Sequence, residues 1–133
     1  PGVAAYMEQA KETAKAKGYV ETIFHRRLYL PDINAKNAAV RAYAERTAIN
    51  APLQGSDADL IKLAMIRVND WLQSNCPQTK LIMQVHDELV LEVPEADCER
   101  VAVALKDCME QAAQLSVPLV VEVGQGTNWD EAK

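Results

Sequence analysis

The stretch of residues 81–93 reads LIMQVHDELVLEV, and it decides the fold that we predict for this chain. Leu81–Val85 and Leu89–Val93 are short apolar runs, typical of strands that are buried on at least one face. Little more than His86 and Asp87 separates them, which predicts a tight hairpin. The link lacks the Gly or Asn that such turns favour. It also places two acids side by side, which indicates a functional reason.

Helical and strand patterns flank this hairpin on both sides. Ser56 and Asp59 have the spacing of a capping box, which predicts that a helix begins there. Asn50-Ala51-Pro52 predicts an interruption or a kink of the helix before it. The predicted helices are 3–17, 34–49, 56–75 and 95–115, and the other predicted strands are 19–24, 28–30 and 119–123. The order predicts an α+β fold, with an antiparallel sheet that has helices packed on one face.

Composition narrows the class of protein. The 133 residues are 49% apolar and 25% charged, which is typical of one globular domain. The sequence contains no apolar stretch of 18 or more residues, so we predict no membrane span. We expect a cytoplasmic protein whose cysteines are free and buried. The net charge of -5 argues mildly against a dedicated nucleic-acid binder, because such proteins are usually basic.

The adjacent acids Asp87 and Glu88 suit a hard cation. A rigid hairpin would present their oxygens to Mg²⁺, which is usually held by one or two carboxylates together with substrate phosphates. One hairpin cannot supply a whole two-ion site, so another carboxylate would have to join it. A plain solvated turn remains open as an alternative. A different phosphoryl-transfer enzyme would need a second acidic cluster, and the available acids are Asp57, Asp59, Glu92 and Glu122.

Several stretches resemble family A DNA polymerases, in the same order along the chain. Residues 84–88, QVHDE, resemble the third conserved motif of that family. The other matching stretches are 19–22 with 26–33, 44–46 with 49–52, 54–55 with 58–59, and 117–119 with 122–124 and 128–129. Family members often carry glycine where His25 stands. The resemblance covers nearly the whole chain and is therefore more specific than any single motif.

The resemblance implies a role for each residue of the hairpin. Asp87 would be a catalytic Mg²⁺ ligand, Glu88 a supporting acid near the metal ions, and His86 a catalytic-site residue beside the primer terminus. The residues that would contact DNA are Arg46, Asn50, Gln54, Gln84 and His86.

The spacing of four residues puts Arg46, Asn50 and Gln54 on one helical face, where they would reach the minor groove. Without the resemblance, a solvated polar face is the simpler interpretation. Arg26 and Arg27 would contact phosphate or form an exposed basic turn, and the sequence leaves both open.

The resemblance also implies that the chain is the carboxy-terminal piece of a polymerase domain. Residues 1–33 would be a remnant of the fingers, and residues 34–133 part of the palm. The earlier palm aspartate and the fingers helix would be absent, so we expect a two-ion Mg²⁺ site that this chain supplies only in part, and no activity of the chain alone.

The whole enzyme, a nucleotidyltransferase of replication and repair in the bacterial nucleoid, would bind primer-template DNA and deoxynucleoside triphosphates and no membrane. Exposed palm strands would favour self-association of the chain. The alternative from another class is a small α+β binding or oligomerisation module without catalysis.

Overall fold

The computed structural model describes residues 2–132, and these form two compact units. The first unit is Pro1–Asp59 and the second is Leu60–Lys133, so that their boundary falls inside one long helix. The predicted boundary between fingers and palm, at residues 33 and 34, separates polymerase subdomains and not these compact units, so it stays a prediction. Within residues 2–132, no helix is both long and apolar enough to cross a membrane.

The first unit begins with a helix and a small hairpin, as predicted. Helix α1 is Gly2–Lys17, and Gly18 ends it with a φ of 78°, while its N–H donates to the carbonyl of Ala14. The hairpin consists of β1, Tyr19–Glu21, and β2, Arg27–Tyr29, which pair antiparallel. The buried residues that form the core of this unit are Ala14, Val20, Leu30, Ile33, Ala44 and Ala48.

Helix α2, Ala38–Asn75, replaces the two helices predicted between residues 34 and 75. Asn37 caps its first turn, because Oδ1 of Asn37 accepts the N–H groups of Ala39 and Val40 at 2.9 and 3.3 Å. Pro52 lies inside the helix, so the predicted interruption is wrong, and the other predicted outcome, a kink, stays a prediction.

The predicted capping box at Ser56 and Asp59 is wrong as well, because Ser56 lies inside α2. A cap hydroxyl would accept an N–H of the next helical turn. The Ser56 hydroxyl instead donates to the carbonyl of Pro52, four residues earlier, and accepts the N–H of Ile23.

The second unit contains the predicted hairpin and its helix. Strands β3, Lys80–Val85, and β4, Glu88–Glu92, pair antiparallel, and a register shift between Leu81 and Met83 marks a bulge at Ile82. A short 3₁₀ turn, Glu95–Asp97, leads into α3, Cys98–Glu110. One face of the hairpin packs on the helices around a core of Val68, Leu72, Cys76 and Val101 with Leu81, Leu89, Leu91 and Leu105. The three cysteines are free thiols, and Cys76 is buried, whereas Cys98 and Cys108 are only partly buried.

The carboxy-terminal strand predicted at residues 119–123 is not formed. The segment has no ladder partner in the described chain, and the N–H of Val121 donates to Oε1 of Glu110 at 3.0 Å. Val120 is 76% exposed, so its apolar side chain lies in solvent and not in a core. The α+β class is confirmed, but within residues 2–132 each sheet has two strands.

Candidate metal-binding hairpin and nucleic-acid interface

The tip of the β3–β4 hairpin is a two-residue turn. Val85 pairs with Glu88, which leaves His86 and Asp87 as the two central residues. His86 has a φ of 53°, the positive value that the first central residue of such turns requires. A positive φ is unfavourable for a residue with a Cβ, and such strain is often found at functional sites. The Gln84 side chain donates to the carbonyl of His86 and holds this turn from within.

The side chains at the tip are open to solvent. His86, Asp87 and Glu88 are all exposed, and none of them forms an ion pair in the part of the chain that the structure describes. Glu88 is the first paired residue of β4, whereas Asp87 belongs to the unpaired turn. Among residues 2–132, no three His, Cys, Asp or Glu side chains come together in a group that could hold a metal ion.

These residues fit Mg²⁺ as part of a site. Exposed carboxylates on a short, hydrogen-bonded turn are hard oxygen ligands in fixed places, and Mg²⁺ takes one or two of them beside water and phosphate oxygens. Because the described acids form no group of three, the hairpin would supply only part of a ligand set and does not enclose an ion by itself. The rival arrangement, a second acidic cluster within this chain, has no support in residues 2–132.

Helix α2 carries an exposed polar face in the first compact unit. Arg46, Asn50 and Gln54 recur every four residues and are all exposed, as their spacing predicted. The Arg46 guanidinium carbon lies 5.9 Å from the centre of the Tyr43 ring. The side chains of Asn50 and Gln54 have no hydrogen-bond partner within residues 2–132, so their amides are available to a ligand.

Arg26 and Arg27 both have partners within the first unit. Nε of Arg26 donates to Oδ1 of Asp59 at 2.8 Å, and its Nη2 donates to the carbonyl of Gly55 at 3.1 Å. Nε of Arg27 donates to Glu21 at 3.0 Å, and this bond lowers the pKa of that carboxyl. Neither guanidinium projects freely, which favours a structural role over the phosphate contact left open by the sequence.

Sequence reasoning missed the pairing of Arg26 with Asp59, because 33 residues separate them. Gly55 was the available signal. A Cβ there would lie 2.7 Å from Cγ2 of Thr22, so a glycine inside a helix marks a close approach of the hairpin loop.

Comparisons with known proteins show the family of this chain. Residues 1–131 match the family described as DNA polymerase family A. A protein named DNA polymerase I from Pseudomonas aeruginosa is 57% identical over 132 residues, which are 99% of this chain. One of the same name from Streptococcus pneumoniae is 50% identical over the whole chain.

A solved structure, the "POL domain of Pol1 from M. smegmatis complex with DNA primer-template and dNTP", superposes with a TM-score of 0.96. That protein is 42% identical, and the match covers 98% of this chain. The chain therefore belongs to DNA polymerase family A. It spans 14% and 15% of the two curated relatives and 23% of the solved chain.

Proposed function

We propose that this chain is part of a template-directed DNA polymerase, which adds deoxynucleotides to the 3′ end of a primer. The observation that carries the proposal is the strained two-residue turn that exposes Asp87 beside Glu88, in a chain that belongs to this family. Adjacent carboxylates on a fixed turn have the chemistry that metal-dependent phosphoryl transfer needs. In a plain binding module the same turn could carry glycine or asparagine, which adopt a positive φ more readily than histidine.

In this proposal Asp87 holds a catalytic Mg²⁺ and Glu88 supports it. When bound, the ions stabilise the charge that develops on the attacking and leaving oxygens. His86, at the first position of the turn, would lie beside the primer terminus. Gln84, whose side chain donates to the carbonyl of His86, would contact the DNA there as well. The remaining ligands come from outside residues 2–132, since these residues contain no group of three.

The exposed face of α2 is the proposed contact with primer-template DNA. Purine N3 and pyrimidine O2 are acceptors in every base pair, so Arg46, Asn50 and Gln54 would check pair shape in the minor groove without reading sequence. The free amides of Asn50 and Gln54 support this role. The M. smegmatis protein was solved with primer-template and dNTP, which makes the same ligands the natural candidates here. A location at the bacterial nucleoid follows from that binding.

The direct test is Asp87→Ala in a full-length family A polymerase that carries this segment. We expect single-turnover nucleotide incorporation to fall at least about a hundredfold, because a metal ligand is removed. Asp70→Ala is the matched control, since Asp70 is exposed on α2 without an ion pair within residues 2–132. Undiminished incorporation by Asp87→Ala, with primer-template binding intact, would sink the proposal.

The 133-residue chain by itself should not extend a primer with Mg²⁺. Two acids at one tip leave a two-ion site incomplete, as the absence of a third ligand within residues 2–132 indicates. Primer extension on a labelled template measures this. Robust extension by the chain alone would show that it holds both ions itself.

A further inference from the structure

Pro52 creates a weak point in α2 between Asn50 and Gln54. A proline has no N–H, so the helical bond from residue 52 to the carbonyl of Ala48 is missing. The turn around it gains other bonds instead. The Tyr6 hydroxyl of α1 donates to the carbonyl of Ile49 at 2.9 Å. The helical turn around Pro52, called the proline turn below, is therefore stabilised by hydrogen bonds that are not part of the backbone bonding of α2.

Ser56 makes the second of these attachments. Its side chain is buried, with 9% of the residue exposed. The hydroxyl donates to the carbonyl of Pro52, and it accepts the N–H of Ile23 at 3.0 Å. One hydroxyl thus connects the proline turn to the loop between β1 and β2.

That loop is fixed by its own hydrogen bonds. Oγ1 of Thr22 accepts the N–H groups of Phe24 and Arg26, and the backbone N–H of Thr22 donates to the carbonyl of Arg26. His25 at its tip has a φ of 63°. Because these hydrogen bonds make the loop rigid, it can restrain the part of α2 that it contacts.

Arg26 and Gly55 complete the contact. The Arg26 guanidinium binds both the carboxylate of Asp59 and the carbonyl of Gly55, which spans one turn of α2. Thr22 lies so close to Gly55 that a Cβ there would displace it. The loop therefore grips α2 from Pro52 to Asp59, and all of these residues belong to the first compact unit.

We propose that Thr22, Arg26, Gly55, Ser56 and Asp59 form a brace that positions Asn50 and Gln54 for the primer-template. Ser56 and Gln54 lie roughly 200° apart around the helix axis, so the brace grips one side while the exposed amides leave from the other. Ser56 and Arg26 are positioning residues, since they touch the helix and no DNA. The inference rests on the proposed function, because it needs Gln54 to contact DNA.

A double-mutant cycle in the full-length polymerase tests the brace. Gln54→Ala should raise the Kd for primer-template about tenfold, because a direct contact with DNA is lost. Ser56→Ala should raise this Kd several-fold, which is roughly the effect of losing one hydrogen bond. If Ser56 acts through Asn50 and Gln54, Ser56→Ala causes a smaller loss in the Gln54→Ala background than in the wild type. Ser56→Thr keeps the hydroxyl and should restore binding, and Ser74→Ala on the exposed side of α2 is the matched control.

A second variant covers the case in which Ser56→Ala does not fold. Arg26 is 55% exposed at its side chain, so Arg26→Gln should fold while it loses both contacts with α2. We expect Arg26→Gln to be non-additive with Gln54→Ala as well. The slope of log Kd against log salt concentration should be the same in Arg26→Gln as in the wild type. A slope lower by about one would mean that Arg26 binds a phosphate directly.

The outcomes separate the two proposals. Losses that add fully in both double variants, or a changed salt slope for Arg26→Gln, overturn the brace while the DNA-contacting face stands. An unchanged Kd for Gln54→Ala overturns the DNA contact itself, and the brace falls with it. Non-additive losses together with rescue by Ser56→Thr support both.

Discussion

His86 and His25 are the two non-glycine residues within 2–132 that have a positive φ, at 53° and 63°. Each stands at the tip of a hairpin, where glycine would fit without strain. His25 lies in the loop between β1 and β2, at a position where the resemblance to the family implies a glycine. For His86 the strain coincides with the two acids, which favours a side-chain requirement at that site.

The two histidines give a matched pair of variants. His86→Gly and His25→Gly should each raise the free energy of unfolding by about 1 kcal/mol, because relief of strain exceeds the entropy that glycine adds to the unfolded chain. Urea unfolding measures both. Only His86→Gly should slow primer extension in the full-length polymerase. Equal extension by the two variants would contradict a role for the His86 side chain.

The features of single residues that could be predicted from the sequence are those set by near neighbours in the chain. The two-residue link at His86 and Asp87 follows from the apolar runs on either side, and the shared face of Arg46, Asn50 and Gln54 follows from helical spacing. The bond of Arg26 to Asp59 could not be predicted, because tertiary packing brings together residues 33 positions apart.

Helix α2 is the element that departs most from its sequence pattern. Proline inside a helix and a Ser-x-x-Asp motif both predict a boundary. The structure keeps one helix, since Ser56, Tyr6 and the β1–β2 loop supply bonds around Pro52 that local propensity does not include. Strand 119–123 fails for the opposite reason: its pattern is typical of a strand, but no strand among residues 2–132 pairs with it.

The beginning of α2 depends on Asn37. Asn37→Ala should lower the free energy of unfolding by about 1 kcal/mol, because two backbone N–H groups lose their acceptor. Chemical denaturation of this chain measures the change. Asn69→Ala, in the middle of the same helix and exposed, should be neutral or slightly stabilising. Equal losses at both positions would show that Asn37 is not the cap.

The first unit carries two carboxyls whose charged form is favoured by a basic neighbour. The Lys15 ammonium lowers the pKa of Glu45, and the Arg27 guanidinium lowers that of Glu21, both from an ordinary value of 4.5. A lowered folded pKa stabilises the fold above pH 4.5, and this contribution is lost as the pH falls through the folded values.

The urea midpoint of this chain should therefore drop as the pH falls below 4.5. The drop should be smaller in Glu45→Gln and Glu21→Gln, and smaller in 1 M salt, because these carboxylates are still partly open to solvent. An identical acid profile in the variants would mean that other groups control the transition.

Over the whole molecule, the outer face of the β3–β4 hairpin leaves apolar surface uncovered. Ile82 is 55% exposed and Met83 is 37% exposed, and the described sheet has two strands with unpaired edges. Such edges favour pairing with another chain. We expect concentration-dependent self-association in size-exclusion chromatography, which Ile82→Lys should reduce. A clean monomer at high concentration would contradict this expectation.

The hairpin account is tested most directly by counting metal ions. Mn²⁺ can replace Mg²⁺ and is visible by electron paramagnetic resonance. We would titrate it into the full-length polymerase bound to a dideoxy-terminated primer-template and a matching dNTP. The wild type and the control Asp70→Ala should bind two ions. Asp87→Ala should lose one ion or bind it at least about tenfold more weakly. Two ions bound with unchanged Kd in Asp87→Ala would show that this turn does not hold the metal.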